Sequence, residues 1–166
     1  GNDTYFEYKA SRLVGLKHIS IGERCRFGKN IQLTAWDEYY GQRFSPEIII
    51  GQGCNFGDEN QITACNKIVI GNNVLTGPNV FVSDNSHGRT LYDDMLLPPV
   101  ERTLHLRGCV EIGDNVWIGR NACIMPGVKI GKNSIIGANS VVTRDIPAFS
   151  VAVGVPAKVI RTVTPE

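Results

Sequence analysis

Net charge is almost absent from this sequence: 17 Lys and Arg stand against 16 Asp and Glu in 166 residues, a balance of +1. That gives no basic footprint for nucleic acid. Long apolar runs are missing too. None approaches the roughly 18 residues of a membrane helix, and no secretory signal stands ahead of the repeats described below, so a cytoplasmic protein without a membrane span is expected. Histidine is scarce, with only His18, His87 and His105. There are five cysteines and no CxxC, an odd count that favours reduced thiols over a disulfide framework. Cys25, Cys54, Cys65, Cys109 and Cys123 also lack the spacing of zinc ligands, so no metal is expected.

What is abundant is glycine, 18 residues where average usage is roughly 7%, and its placement decides the fold. An apolar residue is followed at once by glycine at Ile21-Gly22, Phe27-Gly28, Ile50-Gly51, Phe56-Gly57, Ile70-Gly71, Ile112-Gly113, Ile118-Gly119, Ile130-Gly131 and Ile136-Gly137. Within each doublet the step is six residues, and from Ile112 to Ile130 it is eighteen. A six-residue unit of this kind suits one flat side of a parallel β-solenoid, and three sides close a triangular coil. The residue before glycine points inward, and glycine relieves crowding at the corner. Cys25 and Cys54 fall at the fifth place of their hexapeptides, where other repeats carry Val74, Val80, Val116 or Ala122, and are expected in the core.

The rhythm also sets the organisation. Residues 1–18 carry no repeat and are expected to cap one end; the solenoid runs over 19–161, and 162–166 form a tail. Two interruptions stand out. The step from Ile21 to Ile50 is eleven residues longer than one coil, which places a surface excursion at about 36–49. From Ile70 to Ile112 is forty-two residues, and a loop is expected at about 87–108. Loops that long in a compact repeat protein are usually functional or disordered, and purely structural solenoids spend few residues on them.

The segment V-E-I-G-D-N-V-W-I-G-R-N-A-C-I-M-P-G-V-K-I-G-K-N-S-I-I-G-A-N-S-V-V-T-R-D-I-P from Val110, with the tail A-V-G-V-P-A-K-V-I-R ending at Arg161, resembles the hexapeptide-repeat acyltransferases. It is similar to the maltose and galactoside O-acetyltransferases and to the O-acetyltransferases of capsule, exopolysaccharide and O-antigen synthesis. The resemblance implies an all-β, left-handed parallel β-helix, against the usual right-handed crossover preference. It also implies a homotrimer with active sites between subunits, and acetyl-CoA as acyl donor lying along the coils.

His87, in S-D-N-S-H-G at the start of the longer loop, aligns with the family's general base. A sugar hydroxyl is a poor nucleophile, and an imidazole, whose ordinary pKa is about 6.5, can take its proton as it attacks a thioester. Such a base needs a partner to fix its tautomer. Asp84 is the favoured orienter, with Asn85, Glu101 and a main-chain carbonyl as alternatives. Asn85, Trp36 and His105 are candidates for the acceptor. For the donor, the resemblance carries over Trp117 beside the acyl arm, then Arg120, Ala138, Thr143 and Arg144, and finally Lys158 and Arg161 for the nucleotide phosphates, where cations make charge-assisted bonds. Arg120 replaces the serine of the maltose and galactoside enzymes, and Arg144 replaces a lysine.

Two departures bear on the acceptor. The N-terminal helical segment that shapes the sugar pocket in those enzymes has no expected counterpart, and Cys65 stands where the family has an aspartate that holds the sugar. Both favour polysaccharide modification over small disaccharides, with Trp36, Asp37, Tyr39 and Tyr40 as an aromatic and acidic platform. A saccharide or sugar-nucleotide acceptor is expected, through O-acetylation or, alternatively, N-acetylation of an amino sugar nucleotide. A three-histidine metal site like that of γ-class carbonic anhydrases fits less well, because His18, His87 and His105 do not sit on neighbouring coils, and a non-catalytic binding module would predict neither the tail motif nor a loop histidine.

Overall fold

Inward apolar residues six positions apart can all be buried only if the chain turns a corner after each short strand, and it does. The computed structural model describes residues 1–7 and 12–164. Three sheets form a triangular, left-handed parallel β-helix. Face I stacks Tyr5–Phe6, Arg26–Phe27, Asn55–Phe56, Leu75–Thr76, Trp117–Ile118, Ile135–Ile136 and Ser150–Gly154, and Ala157–Thr162 folds back antiparallel on the last of these. Face II stacks Arg12–Val14, Gln32–Ala35, Gln61–Ala64, Phe81–Ser83, Cys123–Ile124 and Val141–Val142. Face III stacks Ile19–Ile21, Glu47–Ile50, Lys67–Ile70, Val110–Ile112 and Lys129–Ile130.

Each corner answers to sequence in two ways. A Cβ on Gly57 would lie 2.6 Å from the carbonyl carbon of Gly77 in the next coil, so the glycine after the inward residue is set by coil-to-coil approach. Two residues before the next strand begins, asparagine takes the left-handed region: Asn79, Asn121 and Asn139 all have φ of 57°. Asparagine tolerates that conformation better than other side-chain-bearing residues. The amides also ladder up the prism, with Asn121 Nδ2 donating to Asn139 Oδ1 at 2.9 Å and Asn115 Nδ2 to Asn133 Oδ1 at 3.0 Å.

Inside, side chains stack coil on coil. Phe6, Phe27 and Phe56 lie ring over ring at 4.4 and 4.9 Å, and Ile118 and Ile136 continue the column. Between them sits Thr76, whose hydroxyl accepts from the buried Asn60 Nδ2 at 2.8 Å; Asn60 Oδ1 in turn accepts from Val80 N–H at 2.7 Å. This polar insertion is tolerated because its groups are paired. Cys25 and Cys54 are core residues, as expected, each donating its thiol to a carbonyl of the following coil, Gly51 and Gly71, at 3.1 Å.

The leading segment does more than cap. Tyr5–Phe6 pairs parallel with Arg26–Phe27, and Arg12–Val14 with Gln32–Thr34, so these residues supply two sides of a further coil. Residues 8–11 of that segment and residues 165–166 of the expected tail lie outside the described residues. The first excursion is shorter than expected, because face III resumes at Glu47; it contains a hairpin of Glu38–Tyr39 with Gln42–Arg43. The second contains an antiparallel ribbon of Asn85–His87 with Leu104–Leu106, joined through a short helix at Tyr92–Leu96. Arg102 holds that connection together by donating to Leu97 O at 3.0 Å and Met95 O at 3.3 Å. Both excursions leave the prism where face II turns into face III, on either side of the coil that makes this turn directly at Cys65-Asn66.

Candidate active site

Because side chains alternate along a strand, face II presents Gln61 and Phe81 outward in one row and Thr63 and Ser83 in the next, in register. The two excursions rise beside these rows and enclose a cleft of about 360 Å³ lined by Trp36, Tyr39, Thr63, Cys65, Phe81, Ser83, Asn85, His87 and Leu104. Of the residues expected at the site, His87, Asn85 and Trp36 come together here. A larger concavity of about 590 Å³ lies on face III, beside the Lys129–Glu111 ion pair at 2.9 Å. Its lining includes no histidine or cysteine, whereas the smaller cleft is lined by both His87 and Cys65.

His87 is exposed to the cleft, and Tyr39 meets its ring edge-on, with centroids 5.5 Å apart and planes at 70°. Arg12 lies over Trp36 at 5.4 Å from the ring centroid, a cation–π contact that holds the indole at the cleft wall. Asn85 Nδ2 donates to Asp84 Oδ1 at 3.0 Å, which fixes the amide beside His87.

Asp84 does not orient His87. Its side chain is fully buried, and its two oxygens accept from Cys65 N–H at 2.9 Å and Asn66 N–H at 2.8 Å. With the Asn85 amide these make three acceptor bonds, none of them to His87. Among the described residues no side-chain hydrogen bond reaches the His87 ring, and Glu101 is an exposed end of a single 3-10 turn at Pro99–Glu101. His105 pairs opposite Ser86, one residue out of step with His87, and does not line the cleft. Asp37 turns elsewhere: Lys17 Nζ at 2.9 Å, with His18, holds its carboxyl below the usual range, and Asp37 lines a separate hollow with these two and not the cleft. Burial, reinforced by the Asp84 charge, pushes the Cys65 thiol up to about 12, so this cleft cysteine is no nucleophile near neutrality.

The expected donor residues occupy other parts of the prism. Trp117 projects half-exposed from face I, not from a corner, and its register runs through Ile135 and Val151 to Arg161. Three strand spacings put about 14 Å between Trp117 and Arg161. Lys158 is exposed on the same terminal strand, opposite Val153. Arg120 and Ala138 stack at the corner between faces I and II, where Asn139 N–H donates to Arg120 O at 2.9 Å. Thr143 and Arg144 stand at the corner between faces II and III. Within one chain these seven do not share a pocket with His87. Tyr39, Thr63 and Ser83 line the cleft as well; the last two were findable by counting outward positions along face II from Phe81.

Comparison with known proteins matches this architecture. A family model described as bacterial transferase hexapeptide (six repeats) matches residues 109–144. The galactoside O-acetyltransferase of Escherichia coli strain K12 is 46% identical over 101 residues, which are 58% of this chain and 44% of that one. A maltose O-acetyltransferase structure from Clostridium difficile 630 is 32% identical over 96% of this chain and 71% of that chain, with a TM-score of 0.59. A mutant of AntD, an N-acyltransferase from Bacillus cereus crystallised with dTDP-4-amino-4,6-dideoxyglucose and coenzyme A, shares the fold with a TM-score of 0.79 over 99% of this chain and 83% of that one at 19% identity. The chain belongs to the hexapeptide-repeat transferase family. It spans about half the length of the curated relatives it matches.

Proposed function

We propose that the protein is an acetyl-CoA-dependent O-acetyltransferase acting on a saccharide hydroxyl, in the modification of a polysaccharide or lipopolysaccharide. The observation that carries the reading is His87, the one histidine in the cleft, flanked by Trp36 and Tyr39 as flat apolar surfaces of the kind sugar rings stack on. Acetyl-CoA supplies the acetyl group as a thioester. The His87 imidazole takes the acceptor's hydroxyl proton as the oxygen bonds to the acetyl carbon, and gives a proton to the departing thiol, so the ring ends neutral as it began. Asn85 and Trp36 hold the acceptor against the base.

The donor residues fit a polyanionic ligand: Lys158, Arg161, Arg144 and Arg120 are all exposed cations on the last coils. The separation of Arg161 and Trp117 on face I from the cleft on face II supports a homotrimer, in which a donor on the last coils of one subunit reaches the cleft of the next. Exposed Leu75, Trp117, Val159 and Ile160 on face I and its terminal strand offer the apolar surface such an assembly buries.

The test is incubation with acetyl-CoA and a panel of free sugars, nucleotide sugars and lipid-linked oligosaccharides, following thiol release and locating the acetyl group in the product. An O-acetylated saccharide is expected. Transfer to an amino group alone, or no release above the rate of donor hydrolysis with any acceptor, would contradict the reading.

A further inference from the structure

Four residues from the two excursions close into a square. Tyr39 and Gln42 pair across the first hairpin, and His87 and Leu104 pair across the ribbon of the second excursion. The other two sides are contacts between the excursions: the Tyr39 ring on the His87 ring at 5.5 Å, and Gln42 Oε1 accepting from Leu104 N–H at 2.8 Å, sixty-two residues apart in sequence. Leu104 is 7% exposed, so its N–H has little water to turn to and the Gln42 contact is costly to lose. Tyr40 leans on Tyr39 with ring centroids 4.9 Å apart.

We propose that Tyr39 is a positioning residue for His87: its ring limits rotation of the imidazole, and Gln42 sets the hairpin's register so that the two rings meet. The inference rests on the reading of His87 as base. No hydrogen-bonding partner performs this task among the described residues, since Asp84 is committed to Cys65 and Asn66. An edge-on aromatic contact supplies the restraint in its place. The hairpin therefore belongs to the catalytic unit, and is more than a surface for the acceptor.

Two readouts test this. The first is the imidazole resonance that disappears from the NMR spectrum in His87→Gln, easily followed with only three histidines in the chain. Tyr39→Ala and Gln42→Ala should both displace it, while Tyr39→Phe, which keeps the ring, and Gln42→Glu, which keeps an acceptor oxygen, should leave it near its wild-type position. The second is turnover with an accepted saccharide: kcat should fall about 2- to 10-fold in the two alanine variants, the span an aromatic edge contact commands, with KM for acetyl-CoA unchanged and with recovery in Tyr39→Phe and Gln42→Glu. A resonance unmoved by Tyr39→Ala overturns the inference whatever the activity, and so does a displaced resonance with wild-type kcat. Wild-type turnover in His87→Gln removes the base assignment and this role with it, an outcome told apart from the others because the Tyr39 variants have no part in it.

Discussion

The Asp84 carboxylate accepts from the backbone N–H of Cys65 at 2.9 Å, so a residue three positions before His87 faces into the prism and stitches the direct corner of one coil to the root of the loop above it. Asp84 therefore acts on stability. Asp84→Ala leaves the N–H groups of Cys65 and Asn66 without their acceptor and should cost about 2–4 kcal/mol, read as a lower denaturation midpoint; Asp84→Asn, with one carbonyl oxygen left, should fall between. A variant that unfolds like wild type but loses turnover would instead return Asp84 to the catalytic group.

The Cys54 thiol is pushed up to about 11, chiefly by burial. A folded-state pKa raised above the unfolded value gives stability that is whole below about pH 9 and is lost as pH rises through about 11, because the unfolded chain gives up its proton first. Cys65 acts in the same direction with its thiol at about 12. Melting temperatures should therefore decline between about pH 9 and 11, and Cys54→Val, which copies Val74 and Val116 of the following coils, should be tolerated at neutral pH and recover about 2 kcal/mol of the alkaline loss. An equally steep decline in Cys54→Val would show that other groups drive it.

The tail cations should govern affinity for the donor. Lys158→Ala combined with Arg161→Ala should raise KM for acetyl-CoA by about tenfold with kcat much less affected, since phosphate contacts far from the reacting carbon are uniform binding. A truncated acyl-pantetheine donor should hardly notice the change. Equal losses with both donors would mean that the tail does not contact the nucleotide.

A light-scattering mass of about three times 18.2 kDa is expected from the homotrimer. A mass equal to one chain at working concentration would contradict both the assembly and a site shared between subunits.

The coils were legible because each inward position repeats: Ile50, Ile70, Ile112 and Ile130 form one column of face III, and the glycine after each is imposed by the neighbouring coil. Cys25 and Cys54 were legible for the same reason, by place in the hexapeptide. The direction of Asp84 was within reach as well, since it is two residues on from the inward Val82, but a strand that runs out into a loop gives no assurance that alternation continues. The Tyr39–His87 and Gln42–Leu104 contacts were not legible. They join residues forty-eight and sixty-two apart through loops without a repeat, and only the common corner from which both excursions leave brings them together. The leading segment was legible as a cap but not as part of a coil, because its strands at Tyr5–Phe6 and Arg12–Val14 carry no hexapeptide glycine.

The most direct measurement compares His87→Ala with wild type, using the acceptor that the panel identifies and a separate binding assay for acetyl-CoA. General-base loss predicts kcat down by about 10²–10⁴-fold with donor affinity retained, because the donor residues lie on the last coils and His87 in the excursion beside face II. A His87→Ala protein that keeps more than about half of wild-type kcat would contradict the account.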